Sequence, residues 1–307
     1  METKNPLHLS ILRIARPFEL LAGLFTYTLG LGIVSYLGKS INWTNAILGS
    51  GLVLLFLLVK NFLSAYYTFP EAIPAPILGK RAQEDEADFV ETRSLPRPLL
   101  MQIGLVGLAF GAAITVLLMV KQAINYTELL LLGLSLFLVF AAVVPPLRLE
   151  KQGYSELIEA LLVANLFPMQ AFLLQQTELH TLLLMITLPL TFLYIALRIA
   201  ISFEYFSYDL KHGAGSLIGK LGWQAGMTLH NLSILVAFLL VGGFVLLKMP
   251  WGLAWPFFLA LPLGIFQIIQ IQRIGDGNKP FWQLLRINAW ATFLVGVYLF
   301  IVTLWIR

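Results

Sequence analysis

The sequence contains no cysteine, which removes two classes of site from consideration. Such a chain has neither a disulfide framework nor a thiolate that binds metal or attacks a substrate. Charged residues are also scarce. Asp, Glu, Lys and Arg make up 12% of the 307 residues, whereas soluble domains usually contain about a quarter. The chain therefore has too few polar side chains to cover a water-soluble globule.

Apolar residues, in contrast, are abundant in this chain. They make up 59% of the chain, and the mean hydropathy is +0.84. A membrane-spanning helix needs about 20 mostly apolar residues. Nine stretches meet that requirement: 18–38, 43–67, 99–120, 126–147, 157–176, 181–205, 224–247, 252–272 and 286–306. The expected fold is an all-α polytopic membrane protein of nine transmembrane helices, forming a single membrane domain over residues 1–307.

The distribution of Lys and Arg predicts the orientation of these helices. With nine spans, 14 of the 20 basic residues fall on the side of the N-terminus, four fall on the other side, and Lys60 and Arg198 lie inside spans. Basic loops stay in the cytoplasm, so the N-terminus and the long loops at about 69–98 and 206–222 are predicted to be cytoplasmic. We expect an integral protein of a bacterial inner membrane, with the bilayer and no nucleic acid as partner.

The first long loop combines acidic and basic pairs. Glu84 and Asp88 are four residues apart, so they share one face if the segment is helical. Paired carboxylates hold Mg²⁺, which also keeps waters and substrate phosphates in its shell. Arg93 and Arg97 have the same spacing, and guanidinium groups bind diphosphate bidentately. The alternative is a solvated loop whose arginines lie at the headgroups.

The second long loop follows an apolar run that ends in an acid. Glu204 lies at that end, and an ionisable group at such a place is a candidate functional residue because it is costly to bury. Asp209 and Lys211 follow at the interface, with several glycines behind them. Two alternatives remain open: an interfacial loop with snorkelling charges, or a transporter that uses Glu204 and Asp209 as coupling residues.

A third segment, residues 144–157, reads as a cytoplasmic turn between two helices. Pro145 and Pro146 end one helix, and a short basic turn opens the next. Glu156 lies in the first turn of the following helix, where a carboxylate commonly stabilises the helix start. We interpret this segment as structural.

Taken in order, these segments resemble the UbiA superfamily of intramembrane prenyltransferases over nearly the whole chain. The resemblance is carried by four patterns: Ala15-Arg16-Pro17-Phe18 leading to Leu29-Gly30, Arg93-x-x-x-Arg97-Pro98-Leu99, Pro145-Pro146-Leu147-Arg148-Leu149 with Gly153 and Glu156 behind it, and Asp209-x-x-x-Gly213-x-x-Ser216-Leu217-x-x-x-Leu221-Gly222. It implies a nine-helix bundle that transfers a prenyl group from an isoprenoid diphosphate to a hydrophobic, aromatic acceptor in quinone or related lipid biosynthesis.

The resemblance also implies roles for individual residues. Mg²⁺ would contact Glu84, Asp88, Asp209 and Glu204; the diphosphate would contact Arg93, Arg97 and Lys211; and the pocket would include Asn61, Tyr67 and Tyr205. No catalytic residue is assigned. The chain departs from the family's two Asp-rich motifs, because Ala65, Thr68 and Tyr205 stand where aspartates are expected. These departures favour an alternative function, a catalytically silent relative that binds or carries a prenyl lipid or quinone.

Overall fold

The computed structural model describes residues 7–68, 95–212 and 215–306. Over those residues the chain is built from helices, in the order α1 (Leu7–Ala15), α2 (Pro17–Tyr36), α3 (Trp43–Thr68), α4 (Arg97–Val120), α5 (Tyr126–Val143), α6 (Ser155–Leu173), α7 (Thr181–His212), α8 (Leu217–Leu221), α9 (Trp223–Leu246), α10 (Trp251–Gly275) and α11 (Trp282–Trp305).

Nine helices of the described ranges are long and apolar enough to cross a membrane. They are all of the helices above except the short α1 and α8, and each overlaps one of the nine predicted stretches. The prediction of an all-α, nine-span membrane protein is therefore confirmed. The boundaries agree within four residues because Pro and Gly mark most of the connecting turns, except that α7 continues to His212, seven residues beyond its predicted end at 205.

Helix α6 is not a regular α-helix along its length. A π-helical turn at Leu161–Leu166 separates two α-helical pieces, and Pro168 follows directly. Proline has no amide hydrogen to donate to the preceding turn, and its ring crowds that turn. The wider turn also carries Asn165, whose side chain donates a hydrogen bond to Thr191 on α7. The irregularity thus fixes α6 against α7 in the core of the bundle.

Helix α2 crosses α6 at very close range. A Cβ atom added at Gly30 would lie 2.2 Å from the carbonyl oxygen of Pro168 and 2.8 Å from the Cβ of Ala171. Only glycine allows two helix backbones to approach so closely, as is common between helices in membranes. Since α6 also packs on α7, and α7 and α2 pack on α11, these four helices form the centre of the bundle.

Helix α4 lies at the edge of the bundle. It packs along α3, where Gly104 and Gly107 face the side chains of Leu63 and Val59. In the most apolar 18-residue stretch of α4, only 11% is buried inside the protein. Its remaining faces are apolar, which suits contact with lipid, so α4 screens α3 from the bilayer on one side.

Candidate functional site

Five charged side chains from four helices meet inside the bundle. Arg16 and Glu19 lie at the start of α2, Lys60 on α3, Glu159 on α6 and Arg198 on α7. We call this group the Lys60 centre. Lys60 is fully buried, and Glu159 and Glu19 are 1% and 4% exposed. The group lies toward the predicted cytoplasmic ends of these helices, because α2 and α6 begin there and α3 and α7 end there.

The Lys60 centre is held together by ion pairs that cross between helices. Glu19 lies 3.1 Å from Arg16, 3.5 Å from Lys60 and 2.9 Å from Arg198. Glu159 lies 3.8 Å from Arg16 and 2.9 Å from Arg198, and it also accepts a hydrogen bond from Lys60. Each carboxylate therefore contacts all three cations, and the ammonium group lies between the two carboxylates.

A cluster of this kind is costly to form inside a membrane. Lys60, Glu19 and Glu159 lose nearly all of their hydration, and burying an ion costs several kcal/mol even after the surroundings relax. Charges retained at such depth usually mark a binding or transport site. Arg16 adds backbone strain, because its φ of 50° lies in the left-handed region that a residue with a side chain rarely adopts. Strain of this kind tends to occur at functional sites.

Glu150, in the loop between α5 and α6, lies beside the Lys60 centre on the predicted cytoplasmic side. Its carboxylate accepts a hydrogen bond from the Ser64 hydroxyl at 2.7 Å. Burial raises the pKa of Glu150 above its ordinary value of 4.5, while the charges of Lys60 and Arg16 and the Ser64 hydrogen bond act in the opposite direction. Glu150 therefore adds a titratable acid beside the cationic group.

A second polar layer lies nearer the predicted cytoplasmic end of α7. Asp209 is buried, and its carboxylate is hydrogen-bonded to Ser216. Burial raises the pKa of Asp209, the Ser216 hydrogen bond opposes the rise, and the neighbouring Glu156 adds to it. Glu156 in turn accepts hydrogen bonds from the Ser202 hydroxyl at 2.9 Å and from the backbone N–H of Leu217 at 3.2 Å. The predicted structural role of Glu156 fits these contacts, since it ties α6 to α7 and to the start of α8.

Two loops on the predicted cytoplasmic side meet at glycines beside this layer. A Cβ atom at Gly215 would lie 1.8 Å from the carbonyl oxygen of Lys151, and one at Gly153 would lie 2.8 Å from that of Ser216. Gly153 also has a φ of 74°, which favours glycine. The loop after α5 therefore packs directly against the segment that leads into α8, although the two are far apart in the sequence.

Two residues that are predicted to bind metal or diphosphate, Glu204 and Arg97, contact other side chains of the protein. Arg286 on α11 donates a hydrogen bond to Glu204, so that carboxylate joins α7 to α11. The guanidinium of Arg97 lies 4.6 Å from the centre of the Tyr66 ring, in a cation–π contact. Neither contact tests the predicted roles, and metal binding by Glu204 and diphosphate binding by Arg97 stay predictions.

The predicted pocket residues lie along the predicted cytoplasmic ends of α3 and α7. Asn61 is buried, and its side-chain amide donates to the carbonyl of Ala15 at 3.2 Å. The carbonyl of Tyr67 accepts a hydrogen bond from Arg148 at 2.8 Å. Tyr205 lies half-buried on α7, one turn before Asp209. Asn61 and Tyr205 are thus close in sequence to the Lys60 centre and to Asp209 respectively.

Three predicted ligands, Glu84, Asp88 and Arg93, lie outside the described residues. Lys211 lies in helix α7, but its side chain is likewise outside the described part. Within the described ranges no group of three or more His, Asp or Glu side chains is arranged to hold a metal ion. Glu19 and Glu159 each already contact the three cations of the Lys60 centre. The described residues therefore do not by themselves fit Mg²⁺.

Sequence reasoning did not identify the Lys60 centre. The sequence-based prediction gives no role to Glu19 or Glu159, and it includes Lys60 and Arg198 only as basic residues inside spans. The signal was present, because each of the four interrupts an apolar stretch. Their pairing depends on how four helices pack, which no spacing in the sequence shows.

No protein-family model matches the chain, and no curated protein matches it in sequence. Among solved structures, a UbiA homolog from Archaeoglobus fulgidus bound to GPP and Mg²⁺ has a TM-score of 0.67 at 16% identity, over 95% of this chain and 99% of that one. The same homolog bound to DMAPP and Mg²⁺ has a TM-score of 0.62 with the same identity and coverage. The predicted UbiA-like fold is confirmed by these similarities.

Proposed function

We propose that this chain is an intramembrane prenyltransferase, which moves a prenyl group from an isoprenoid diphosphate to a hydrophobic, aromatic acceptor. The observation that carries the proposal is the fold. A nine-helix bundle of this shape, matched over 95% of the chain, is found in a homolog bound to GPP in one structure and DMAPP in another. The Lys60 centre, Glu156 and Asp209 lie toward one end of that bundle, where a lipid with a charged head and an apolar tail would place its head.

The described residues fit the two parts of such a ligand. The Lys60 centre and Asp209 offer charged groups at the predicted cytoplasmic end, while the interior of the bundle is lined by apolar side chains. A prenyl tail among those helices would be shielded from water, which protects a carbocation-like centre from hydrolysis. Mg²⁺ would require Glu84, Asp88 and Asp209 together, and only Asp209 belongs to the described part.

The test is the release of diphosphate by purified protein supplied with DMAPP or GPP, a lipid extract as acceptor source, and Mg²⁺ or a chelator. We expect Mg²⁺-dependent release, together with a prenylated product detected by mass spectrometry. Asp209→Asn should lower the rate by at least about tenfold, because it removes the charge that would bind the metal. Asp276→Asn is the matched control, since Asp276 is an exposed acid in the turn after α10.

A second candidate function is favoured by the Lys60 centre. Because its two carboxylates are already paired with three cations, this part of the chain resembles a fixed binding site more than a metal-dependent catalytic one. A catalytically silent protein that binds or carries a prenyl lipid or quinone would retain GPP binding without releasing diphosphate. No release with any prenyl diphosphate, and an Asp209→Asn variant that behaves as wild type, would reject the transferase in favour of this carrier.

A further inference from the structure

The carboxylate of Glu156 is buried and accepts hydrogen bonds from two helices other than its own. Glu156 is 1% exposed, and its Oε1 atom accepts from the Ser202 hydroxyl on α7 at 2.9 Å and from the N–H of Leu217 at 3.2 Å. Leu217 is the first residue of α8, where an N–H has no acceptor within its own helix. Ser202 has a second acceptor within reach, the carbonyl of Arg198 at 3.0 Å. Glu156 therefore matters most to the start of α8.

The residue before Leu217 connects this carboxylate to Asp209. Ser216 caps α8, and its hydroxyl oxygen accepts a hydrogen bond from the N–H of Gly219 at 3.0 Å. The hydroxyl hydrogen is left for the Asp209 carboxylate, to which Ser216 is hydrogen-bonded. Since an ionised carboxylate only accepts, Ser216 is the donor of this bond. The position of Ser216 thus sets where a donor meets Asp209.

The loop between α5 and α6 holds the same segment from another side. A Cβ atom at Gly153 would lie 2.8 Å from the carbonyl oxygen of Ser216, so the two backbones are in close contact. The ammonium group of Lys220 lies 4.6 Å from the centre of the Tyr154 ring, in a cation–π contact. Gly153, Tyr154 and Glu156 therefore contact the start of α8 as one short stretch of chain.

We propose that Glu156 is a positioning residue for Asp209 in the proposed prenyl transfer, and that it acts through Leu217 and Ser216. The carboxylate of Glu156 fixes the start of α8, and the fixed Ser216 hydroxyl orients the carboxylate of Asp209. The property that matters is an acceptor oxygen rather than a charge, because both hydrogen bonds go to one oxygen and an amide oxygen also has two lone pairs. This inference rests on the proposed function, which gives Asp209 its part in the reaction.

The experiment measures two quantities on the purified full-length chain: the rate of diphosphate release at saturating GPP, under the conditions given for the proposed function, and the hydrogen exchange of the Leu217 amide. Glu156→Leu removes the acceptor. It should lower the rate by about tenfold to a hundredfold, since a misplacement of about 1 Å can cost about a hundredfold. The Leu217 amide should also lose its protection. Glu156→Gln keeps an acceptor oxygen and should match wild type in both measurements.

Two serine variants show which contact of Glu156 is required. Ser155→Ala is the matched control, because the Ser155 hydroxyl donates to the other oxygen of Glu156 at 3.1 Å, and it should match wild type. Ser216→Ala interrupts the connection to Asp209 while Glu156 keeps its carboxylate. It should lower the rate as Glu156→Leu does, and it tests the connection even if Glu156→Leu does not fold.

Combination with Asp209→Asn distinguishes positioning from a general loss of stability. With the charge of Asp209 removed, the orientation of that side chain no longer contributes to the rate. Adding Glu156→Leu to Asp209→Asn should therefore lower the rate no further, because residues that act as a unit are not additive. A merely structural role would instead multiply the two losses.

The outcomes separate this inference from the proposed function. A wild-type rate in Ser216→Ala or in a folded Glu156→Leu, equal losses in Glu156→Gln and Glu156→Leu, unchanged protection of the Leu217 amide, or a further loss in the Asp209→Asn background would each overturn the positioning role and leave the proposed function standing. If wild type releases no diphosphate from any prenyl diphosphate, the proposed function fails, and this inference fails with it.

Discussion

At residue 60, one fully buried ammonium group contacts two buried carboxylates on different helices. Removing it leaves both acids without their central partner, although Arg16 and Arg198 remain close. Breaking a buried ion pair from one side typically costs about 3–5 kcal/mol, because the remaining charge is left uncompensated. We therefore expect Lys60→Met to lower the free energy of unfolding by about that amount, measured by denaturation in detergent micelles.

Two further variants test whether the lost ion pairs of Lys60 cause the loss of stability in Lys60→Met. Lys121→Met makes the same substitution at an exposed residue after α4, and its stability should match that of wild type. Adding Glu159→Gln to Lys60→Met removes one stranded charge and should recover part of the loss. If the double variant is less stable than wild type by the sum of the losses that Lys60→Met and Glu159→Gln cause alone, Lys60 and Glu159 are not coupled.

The acid beside this centre predicts a dependence of stability on pH. Burial raises the pKa of Glu150 above 4.5, so the folded chain holds this proton more tightly than the unfolded chain does. Relative to Glu150→Gln, which keeps an acceptor for Ser64, wild type should lose stability as the pH rises from 4.5 through the raised pKa. Above that pKa the difference should be constant. Thermal unfolding of wild type and of Glu150→Gln across this pH range measures the difference in stability.

The control for this pH dependence is Glu178→Gln, which changes an exposed acid between α6 and α7. Because that side chain is exposed, the thermal stability of Glu178→Gln should match that of wild type. A constant difference between wild type and Glu150→Gln across the range would show that Glu150 is not buried against the Lys60 centre. Lys60, Arg16 and Glu159, the charged groups that act on it, are common to all three proteins.

At the scale of helices, the close crossing of α2 and α6 depends on Gly30, which has no side chain. Ala at Gly30 would place a methyl group 2.2 Å from the backbone oxygen of Pro168, and a backbone cannot rotate away as a side chain can. Overpacking typically costs about 1–3 kcal/mol. We expect Gly30→Ala to destabilise the protein by that amount and to disturb the Lys60 centre, since Glu19 and Glu159 lie on these two helices.

Gly243→Ala provides the comparison for this crossing. A Cβ atom at Gly243 on α9 has no neighbouring atom within 4 Å. Alanine in an open helical position should stabilise by about 0.5–1 kcal/mol, because glycine loses more backbone entropy on folding. Denaturation under identical conditions measures the free energy of unfolding of both variants. A Gly30→Ala variant as stable as Gly243→Ala would contradict the close crossing of α2 and α6.

The helices were predictable from sequence because their signal is local. Each span is a run of apolar residues bounded by turn residues, so α3 was predicted at 43–67 and observed at Trp43–Thr68. The site was less predictable because its signal is spread over the chain. Glu19 and Glu159 are 140 residues apart, and Gly215 meets Lys151 only after α6 and α7 have packed.

For the whole molecule, the proposed chemistry requires that the Lys60 centre and Asp209 face the same compartment as the basic loops. The count of Lys and Arg predicts this orientation, with the N-terminus in the cytoplasm. Since the nine long helices of the described ranges alternate in direction, one loop of known sidedness fixes all the others. The absence of cysteine makes the test direct, because any introduced cysteine is the only thiol in the chain.

Four exposed residues serve as reporters of orientation. Gln152 and Asn278 lie in loops predicted to be cytoplasmic, and Ser40 and Glu178 lie in loops predicted to face outward. In intact cells a membrane-impermeant maleimide should label Ser40→Cys and Glu178→Cys only, whereas permeabilised cells should show labelling of all four and none of wild type. The reverse pattern would place Glu150 and the Lys60 centre on the outer side, where a cytoplasmic prenyl phosphate does not reach. Labelling of Ser40→Cys and Gln152→Cys from the same side would contradict the three membrane crossings by α3, α4 and α5 that separate them.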